Sequence, residues 1–398
     1  MRKIQIFLFV FICTFFAFAQ ETQQTTVIKE MTGNPTIGLA KFMGTAEHRA
    51  VFEEAIRLCG WFRMTGAKDA LSADIILQAQ VKAGQGGVNI QTMVQGNGKT
   101  FTTNQTAGDV RLASFQTMDA ILKGLFNTRA FCSRKIFFAI ANNSGMKEIY
   151  SCYFDGSAQE RVTFNNAIST EPSFGDSSHL LYTLTKNNSQ AVILMDLRMK
   201  RQKIISQAPG LNSSASLSHD GTKVALPMST GNTVDLYLID IQRNQKIRLT
   251  KDKNVESSPV FSPDGRQLCY VSDKNGVPQL HLMDLSNYRT TPLMKGYRES
   301  VSPDWSPVSN KICFSAKEDG RYVIKVMDMA DPEHKVTIVT PAPGYWEAPS
   351  WAPDGRHIIC TKSGSNGSRK DLYVVDSWLC VARQVSKGAN LSLPAWQP

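Results

Sequence analysis

Short apolar stretches alternate with polar turns along most of the chain, and from about residue 170 one pattern recurs. Runs of four to six apolar residues are bounded by Gly, Pro, Asn and Asp, which is typical of strands rather than helices. Each repeat opens with a strand that carries a large apolar residue, here called its anchor. The six anchors are Phe174, Leu217, Phe261, Trp305, Trp351 and Trp396. Successive anchors lie 43 to 46 residues apart, about the length of a four-stranded propeller blade.

The order of strands within the repeats predicts how the ring would close. The anchor strand leads into a turn such as Ser262-Pro263-Asp264-Gly265, and further strands follow, the fourth short and polar as suits an outer edge. The second and third strand types first occur at Ile136–Ala141 and Ile149–Asp155, well before the first anchor at Phe174. We therefore predict an all-β, six-bladed β-propeller over residues 134–398, closed by the C-terminal strand at 393–398.

Residues 20–133 do not repeat and predict an α/β N-terminal domain. Apolar residues recur at helical spacing in Ala46–Cys59 and Asp109–Phe126. Strand patterns at Pro35–Phe42 and between Ala73 and Thr103, interrupted by glycine-rich turns, predict a β-meander. Neither glycine cluster precedes a helix that opens with Lys-Ser or Lys-Thr, so these turns do not predict a phosphate loop.

Residues 1–19 have the pattern of a cleaved signal peptide. Arg2 and Lys3 precede an uncharged apolar stretch, which ends in the small-x-small pattern Ala17-Phe18-Ala19. We predict cleavage between Ala19 and Gln20, export, and no transmembrane span in the mature chain. The alternative is an uncleaved anchor, for which the stretch is short. Cleavage lowers the formal charge from +10 to +8, spread without runs of like charge, so nucleic acid is not an expected partner.

The residues that could carry chemistry do not form a catalytic pattern. The chain has no G-x-S-x-G motif, and its six histidines are isolated, so we expect no serine hydrolase and no cofactor. Seven cysteines remain after cleavage, and no C-x-x-C occurs. A disulfide framework is not indicated, although one or two bridges remain open. The seven are Cys59, Cys132, Cys152, Cys269, Cys313, Cys360 and Cys380.

The chain resembles the TolB family over essentially its whole length. The resemblance rests on the export signal, the α/β domain, blade motifs such as SPVFSPDGRQLCY at 258–270, and the terminus LPAWQP, in which Gln397 replaces a family Ser. It implies a non-enzymatic, monomeric periplasmic component of the Tol-Pal system of Gram-negative bacteria. In that family the propeller binds the lipoprotein Pal and the N-terminus binds TolA. The complex supports outer-membrane integrity and constriction during cell division, and other outer-membrane proteins are further candidate partners.

The resemblance also implies two sets of partner-binding residues. The N-terminal set is Thr26, Val27, Ile28 and Lys29, a short stretch that could add a strand to a partner's sheet, the alternative being a disordered terminus. The other set lies in the loops that enter the anchor strands. It comprises Thr170, Glu171, Asn212, Ser213, Ser214, Glu256, Ser257, Ser258, Glu299, Ser300, Trp346, Glu347 and Ser392.

Four of those loops contain Glu, which predicts an acidic mouth that could also hold a divalent cation. Leu211 stands where the family has a histidine that is important for Pal contact, so that contact does not carry over to this chain. A different function stays open from the same residues, namely a propeller that binds or cleaves a polysaccharide in its channel. Tyr345 and Trp346 would then stack on sugar rings, with mouth glutamates as acid and base.

Overall fold

The computed structural model describes residues 33–230, 233–294, 298–342, 344–364, 369–386 and 390–398. The predicted cleavage site and the four predicted tail residues lie outside these ranges. The chain divides into two compact units, one ending at Leu125 and the other beginning at Phe126, slightly before the boundary predicted at 133. No helix within the described ranges is both long and apolar enough to cross a membrane.

The first unit contains the α/β region that the sequence predicts. Its strands lie in the order β2-β1-β3-β4-β5, with β1 parallel to both β2 and β3, whereas β3, β4 and β5 are antiparallel. The first helix follows Thr45, whose side-chain oxygen accepts a hydrogen bond from the His48 amide at 3.1 Å. The elements are β1 (Thr36–Met43), α1 (Ala46–Leu58), β2 (Arg63–Met64), a 3-10 turn (Ala67–Ser72), β3 (Ile75–Gly84), β4 (Gly87–Gly96), β5 (Lys99–Ala107) and α2 (Val110–Phe126).

The second unit consists of short, mostly antiparallel strands. In chain order they are β6 (Lys135–Ala141), β7 (Lys147–Tyr153), β8 (Glu160–Arg161), β9 (Ile168–Ser173), β10 (His179–Lys186), β11 (Ser189–Asp196), β12 (Gln202–Ser206), β13 (Ser216–Leu217), β14 (Lys223–Thr230), β15 (Thr233–Asp240), β16 (Gln245–Arg248), β17 (Glu256–Phe261), β18 (Gln267–Ser272), β19 (Gln279–Asp284), β20 (Thr290–Pro292), β21 (Ser300–Trp305), β22 (Lys311–Glu318), β23 (Arg321–Asp328), β24 (Val336–Ile338), β25 (Tyr345–Trp351), β26 (His357–Ser363), β27 (Lys370–Asp376), β28 (Val381–Ser386) and β29 (Leu391–Trp396).

Antiparallel pairing joins these strands in sets of four, called repeats 1 to 6 after their anchors. Repeats 1 to 5 are β9–β12, β13–β16, β17–β20, β21–β24 and β25–β28. In repeat 6 the last strand, β29, pairs with β6, and Trp396 lies opposite Ile136. Successive repeats pack through their anchors. Trp305 of repeat 4 lies in one apolar cluster with Cys269 of repeat 3, and Trp351 of repeat 5 lies in another with Cys313 of repeat 4. Pairing and packing thus bring the two ends of this unit's chain into one repeat.

Every anchor strand has the same backbone irregularity three residues before its anchor. A non-glycine residue with φ between 48° and 56° stands there, a conformation that side chains with a Cβ rarely adopt. The six are Glu171, Ser214, Ser258, Ser302, Ala348 and Leu393. Proline follows in every repeat except the second. Since an innermost strand has one edge without a neighbour, proline there removes an N–H that the ladder would leave unpaired.

Candidate functional site

The predicted partner-binding loops lie where the anchor strands begin, and this end of the strands is here called the channel mouth. A cavity of about 290 Å³ lies there, between the first residues of repeats 4, 5 and 6. Among the predicted residues, it brings together Glu347 and Ser392. The positive-φ residues Ser302, Ala348 and Leu393 also line it, as do the side chains at the ends of the neighbouring strands. The loops therefore form part of a concave surface in these three repeats.

Each predicted mouth glutamate has partners within the protein. Glu171 accepts hydrogen bonds from the Thr183 hydroxyl at 2.7 Å and from the Ser214 amide and hydroxyl at 2.6 and 2.8 Å. Because these contacts reach from repeat 1 to repeat 2, the carboxylate ties adjacent anchor strands together. Glu347 pairs with the Lys370 ammonium at 3.2 Å.

Glu299 accepts a hydrogen bond from the Tyr322 hydroxyl and lies 3.6 Å from the Lys317 ammonium. Burial and the adjacent carboxylate raise the pKa of Tyr322 to about 12. The expectation of an acidic mouth is therefore corrected, because lysines and hydroxyl groups accompany these carboxylates. Within the described ranges, no three His, Cys, Asp or Glu side chains cluster as metal ligands would.

Four predicted contact residues are buried, which corrects their assignment as surface contacts. Asn212, Glu256, Ser300 and Trp346 are each no more than 1% exposed. The Asn212 side chain closes its own loop by donating to the Ala208 carbonyl at 2.6 Å. These side chains are covered by the protein itself, so they offer little surface for contact.

Trp346 is also unsuited to the sugar-stacking role. Its indole N–H donates to the Ala342 carbonyl at 3.0 Å. The Lys362 ammonium lies 4.5 Å from the ring centroid, and the Tyr373 ring packs edge-on at 5.3 Å. Because Lys362 and Tyr373 cover the ring and the side chain is buried, it cannot serve as an open stacking platform.

Glu256 gives the fold a pH dependence at this end of repeat 3. Burial, together with the carboxylates of Asp252 and Asp235, raises its pKa to about 7, although Thr250 and Ser272 donate hydrogen bonds to it at 3.0 and 3.2 Å. A carboxyl whose pKa is higher in the folded state binds its proton more tightly there. Its contribution to stability therefore falls as pH rises from about 4.5 to about 7.

We expect Glu256→Gln to remove this pH dependence. The variant should melt close to the native protein at pH 5 and above it at pH 8, by on the order of 1 kcal/mol or a few degrees. Melting curves of both proteins across this range provide the measurement. Parallel melting temperatures at every pH would contradict the assignment.

The sequence interpretation missed a second cavity, at the anchor ends of the same strands. It measures about 170 Å³, and its walls are mainly prolines and anchors from all six repeats. Asp304 lines it and accepts a hydrogen bond from the Trp351 amide at 2.7 Å, and Ser350 similarly accepts from the Trp396 amide at 3.2 Å. Burial raises the pKa of Asp304 to about 6. These contacts link the anchor strands of repeats 4, 5 and 6.

Known proteins share sequence with the chain. The family described as TolB beta propeller domain matches residues 115–398. A protein named Protein TolB homolog from Chlorobium luteolum is 27% identical over 152 residues, covering 36% of this chain and 34% of that protein. The match thus spans about a third of that relative's length.

Solved structures share the fold. TolB from Acinetobacter baumannii superposes with a TM-score of 0.80 at 20% identity, covering 92% of this chain and 97% of that one. A putative TolB from Agrobacterium tumefaciens gives a TM-score of 0.52 at 15% identity, covering 65% and 91% of the two chains. At such identities the likeness is one of fold, a many-stranded propeller with an N-terminal α/β region.

Proposed function

The chain belongs to the TolB β-propeller family, and from that premise we propose that it is a periplasmic component of the Tol-Pal system. In this role it binds the peptidoglycan-associated lipoprotein Pal through the channel mouth and TolA through residues 26–29. The assembly supports outer-membrane integrity and constriction during cell division. The predicted signal at 1–19 would deliver the protein to the periplasm.

The observation that carries the proposal is the concave, mixed-charge mouth described above. Protein-binding surfaces combine polar groups with accessible apolar area, and charge arrangement gives them selectivity. After the four buried residues are removed, the proposed contact set is Thr170, Glu171, Ser213, Ser214, Ser257, Ser258, Glu299, Glu347 and Ser392. The residues of this set come from all six repeats, so a partner would dock across the channel opening.

We also infer that the second unit forms six blades in a closed ring, with β29 as the inner strand of the blade that contains β6, β7 and β8. The pairing of Leu391 with Ile140 and of Trp396 with Ile136 supports this closure. A closed ring leaves only short, protected sheet edges, and it holds the mouth loops at fixed spacings.

The proposed role is non-enzymatic. The polysaccharide alternative assigns sugar stacking to Tyr345 and Trp346, and burial of the Trp346 ring disfavours its part in that role. The mouth glutamates have tyrosine, lysine or hydroxyl partners that suit binding and positioning.

The proposed Pal contact is tested by adding bulk and charge at the mouth. Ser257→Arg and Ser392→Arg alter side chains that are partly accessible, and each is expected to weaken binding of the purified lipoprotein about tenfold. Calorimetric titration measures the affinity. Gln245→Arg on the exposed outer strand β16 is the matched control and should bind like the native protein. Native affinity in both mouth variants would overturn the proposed contact.

A further inference from the structure

The mouth cavity contains hydrogen-bonding groups that the fold itself does not use. Ser315 and Thr361 both line the cavity and are only 1% and 2% exposed. Their hydroxyl oxygens have no hydrogen-bond partner among the described residues. Burying a hydroxyl without a partner costs about 1–3 kcal/mol, so two of them in one cavity wall point to a ligand that would satisfy them.

The internal repeats show which group fits beside such a hydroxyl. Ser315 lies opposite Val301, and Thr361 lies opposite Glu347, in each case four residues before the anchor of the repeat. Thr183 holds the same position in repeat 1, opposite Thr170. The equivalent positions in repeats 3 and 6 are Val271 and Ala139, which have no hydroxyl.

In repeat 1 a carboxylate of the chain occupies this place. Glu171 is the positive-φ residue there, and its carboxylate accepts from the Thr183 hydroxyl and from the amide and hydroxyl of Ser214, the positive-φ residue of the next repeat. In repeats 4 and 5 the positive-φ residues are Ser302 and Ala348, which have no carboxylate. The hydroxyls equivalent to Thr183 therefore lack the acceptor that repeat 1 supplies.

The charge around the cavity suits an anion. Three charged side chains line it: Lys147, Lys370 and Glu347. Glu347 and Lys370 pair with each other, whereas Lys147 forms no ion pair within the described ranges. The cavity lining thus has a net charge of +1, with Lys147 as its uncompensated cation.

We infer that this cavity binds a carboxylate presented by the partner, an Asp or Glu side chain of a docking segment. In repeats 4 and 5 this carboxylate takes the place that Glu171 fills in repeat 1. Ser315 or Thr361 donates a hydrogen bond to it, and Lys147 is its counter-ion. That the docking segment belongs to the lipoprotein rests on the proposed function. The carboxylate site itself rests on the cavity alone.

The direct test places a carboxylate of the protein itself in the site. Ser302→Glu places a carboxylate at the position equivalent to Glu171, on a backbone conformation that Glu171 already shows to be compatible with glutamate. The variant should fold, melt no lower than the native protein, and bind the lipoprotein about tenfold more weakly than Ser302→Gln does. Gln245→Glu, on the exposed outer strand, controls for the added charge and should bind normally.

A short peptide tests the site independently of the lipoprotein. Saturation-transfer NMR with an acetylated, amidated Gly-Asp-Gly peptide and its Gly-Asn-Gly counterpart should show the Asp peptide bound to the native protein. Ser302→Glu and Lys147→Gln should both reduce that signal. Equal signals from the Asp and Asn peptides, or an undiminished signal in both variants, would overturn the carboxylate site. A native protein that binds the Asp peptide but not the lipoprotein would retain the site and refute the proposed partner.

Discussion

Removing residues 393–398 is expected to lower the melting temperature by roughly 10 °C or more, the largest effect of any change considered. The segment supplies most of β29, which pairs with β6 and whose Trp396 is 3% exposed. Truncating a buried tryptophan alone costs about 3–5 kcal/mol. The deletion adds to this the loss of strand pairing and the exposure of the inner edge of β6.

Thermal melting followed by circular dichroism measures this effect. Deleting Pro398 alone leaves β29 intact and is the matched control, which should melt within a few degrees of the native protein. An unchanged melting temperature in the longer deletion would exclude closure by the C-terminal strand.

The second large effect is expected at a buried ion pair in repeat 5. Both side chains of the Arg356–Asp376 pair are nearly inaccessible, and the guanidinium contacts the carboxylate through Nε at 3.1 Å and Nη2 at 2.6 Å. The His357 ring is close to the same carboxylate and stacks on Phe131 at 5.1 Å. Asp376→Asn keeps a side-chain oxygen for the following turn but removes the negative charge that faces the buried guanidinium. We expect a loss of about 3 kcal/mol or more.

Denaturant unfolding of the purified protein measures this loss as a lower midpoint. Asp284→Asn is the matched control, because Asp284 ends the equivalent strand of repeat 3 and accepts from the Ser286 amide at 2.8 Å. That change should cost less than about 1 kcal/mol, since Asp284 forms no ion pair with a buried cation among the described residues. Equal midpoint shifts in the two variants would contradict the role assigned to the Arg356–Asp376 pair.

The strands and their order could be predicted because each depends on local pattern. An apolar anchor, a Pro-Asp-Gly turn and an Asp at the end of the third strand recur at one spacing, and this spacing marks the repeats. The α/β region was predictable for the same reason, since α1 buries Phe52, Ala55 and Ile56 at helical spacing.

The burial of individual side chains could not be predicted, since it depends on what lies across the fold. Arg266 and Arg356 occupy the same place in two Pro-Asp-Gly-Arg turns, yet their side chains are 85% and 2% exposed. Glu256 and Trp346 similarly stand at the starts of strands, beside neighbours that are more accessible, but are themselves buried. The positive-φ position also escaped notice, because Glu, Ser, Ala and Leu occupy it and share no local signature.

Site-specific photocrosslinking in living cells tests the proposed partner face most directly. A photoreactive amino acid at Ser257 or Ser392 of the channel mouth, followed by mass spectrometry of the adducts, should capture the peptidoglycan-associated lipoprotein. The same amino acid at Gln245, on the outer strand β16, should not capture it. Absence of the lipoprotein from both mouth positions, or equal capture from Gln245, would contradict the assignment of the channel mouth as the partner-binding face.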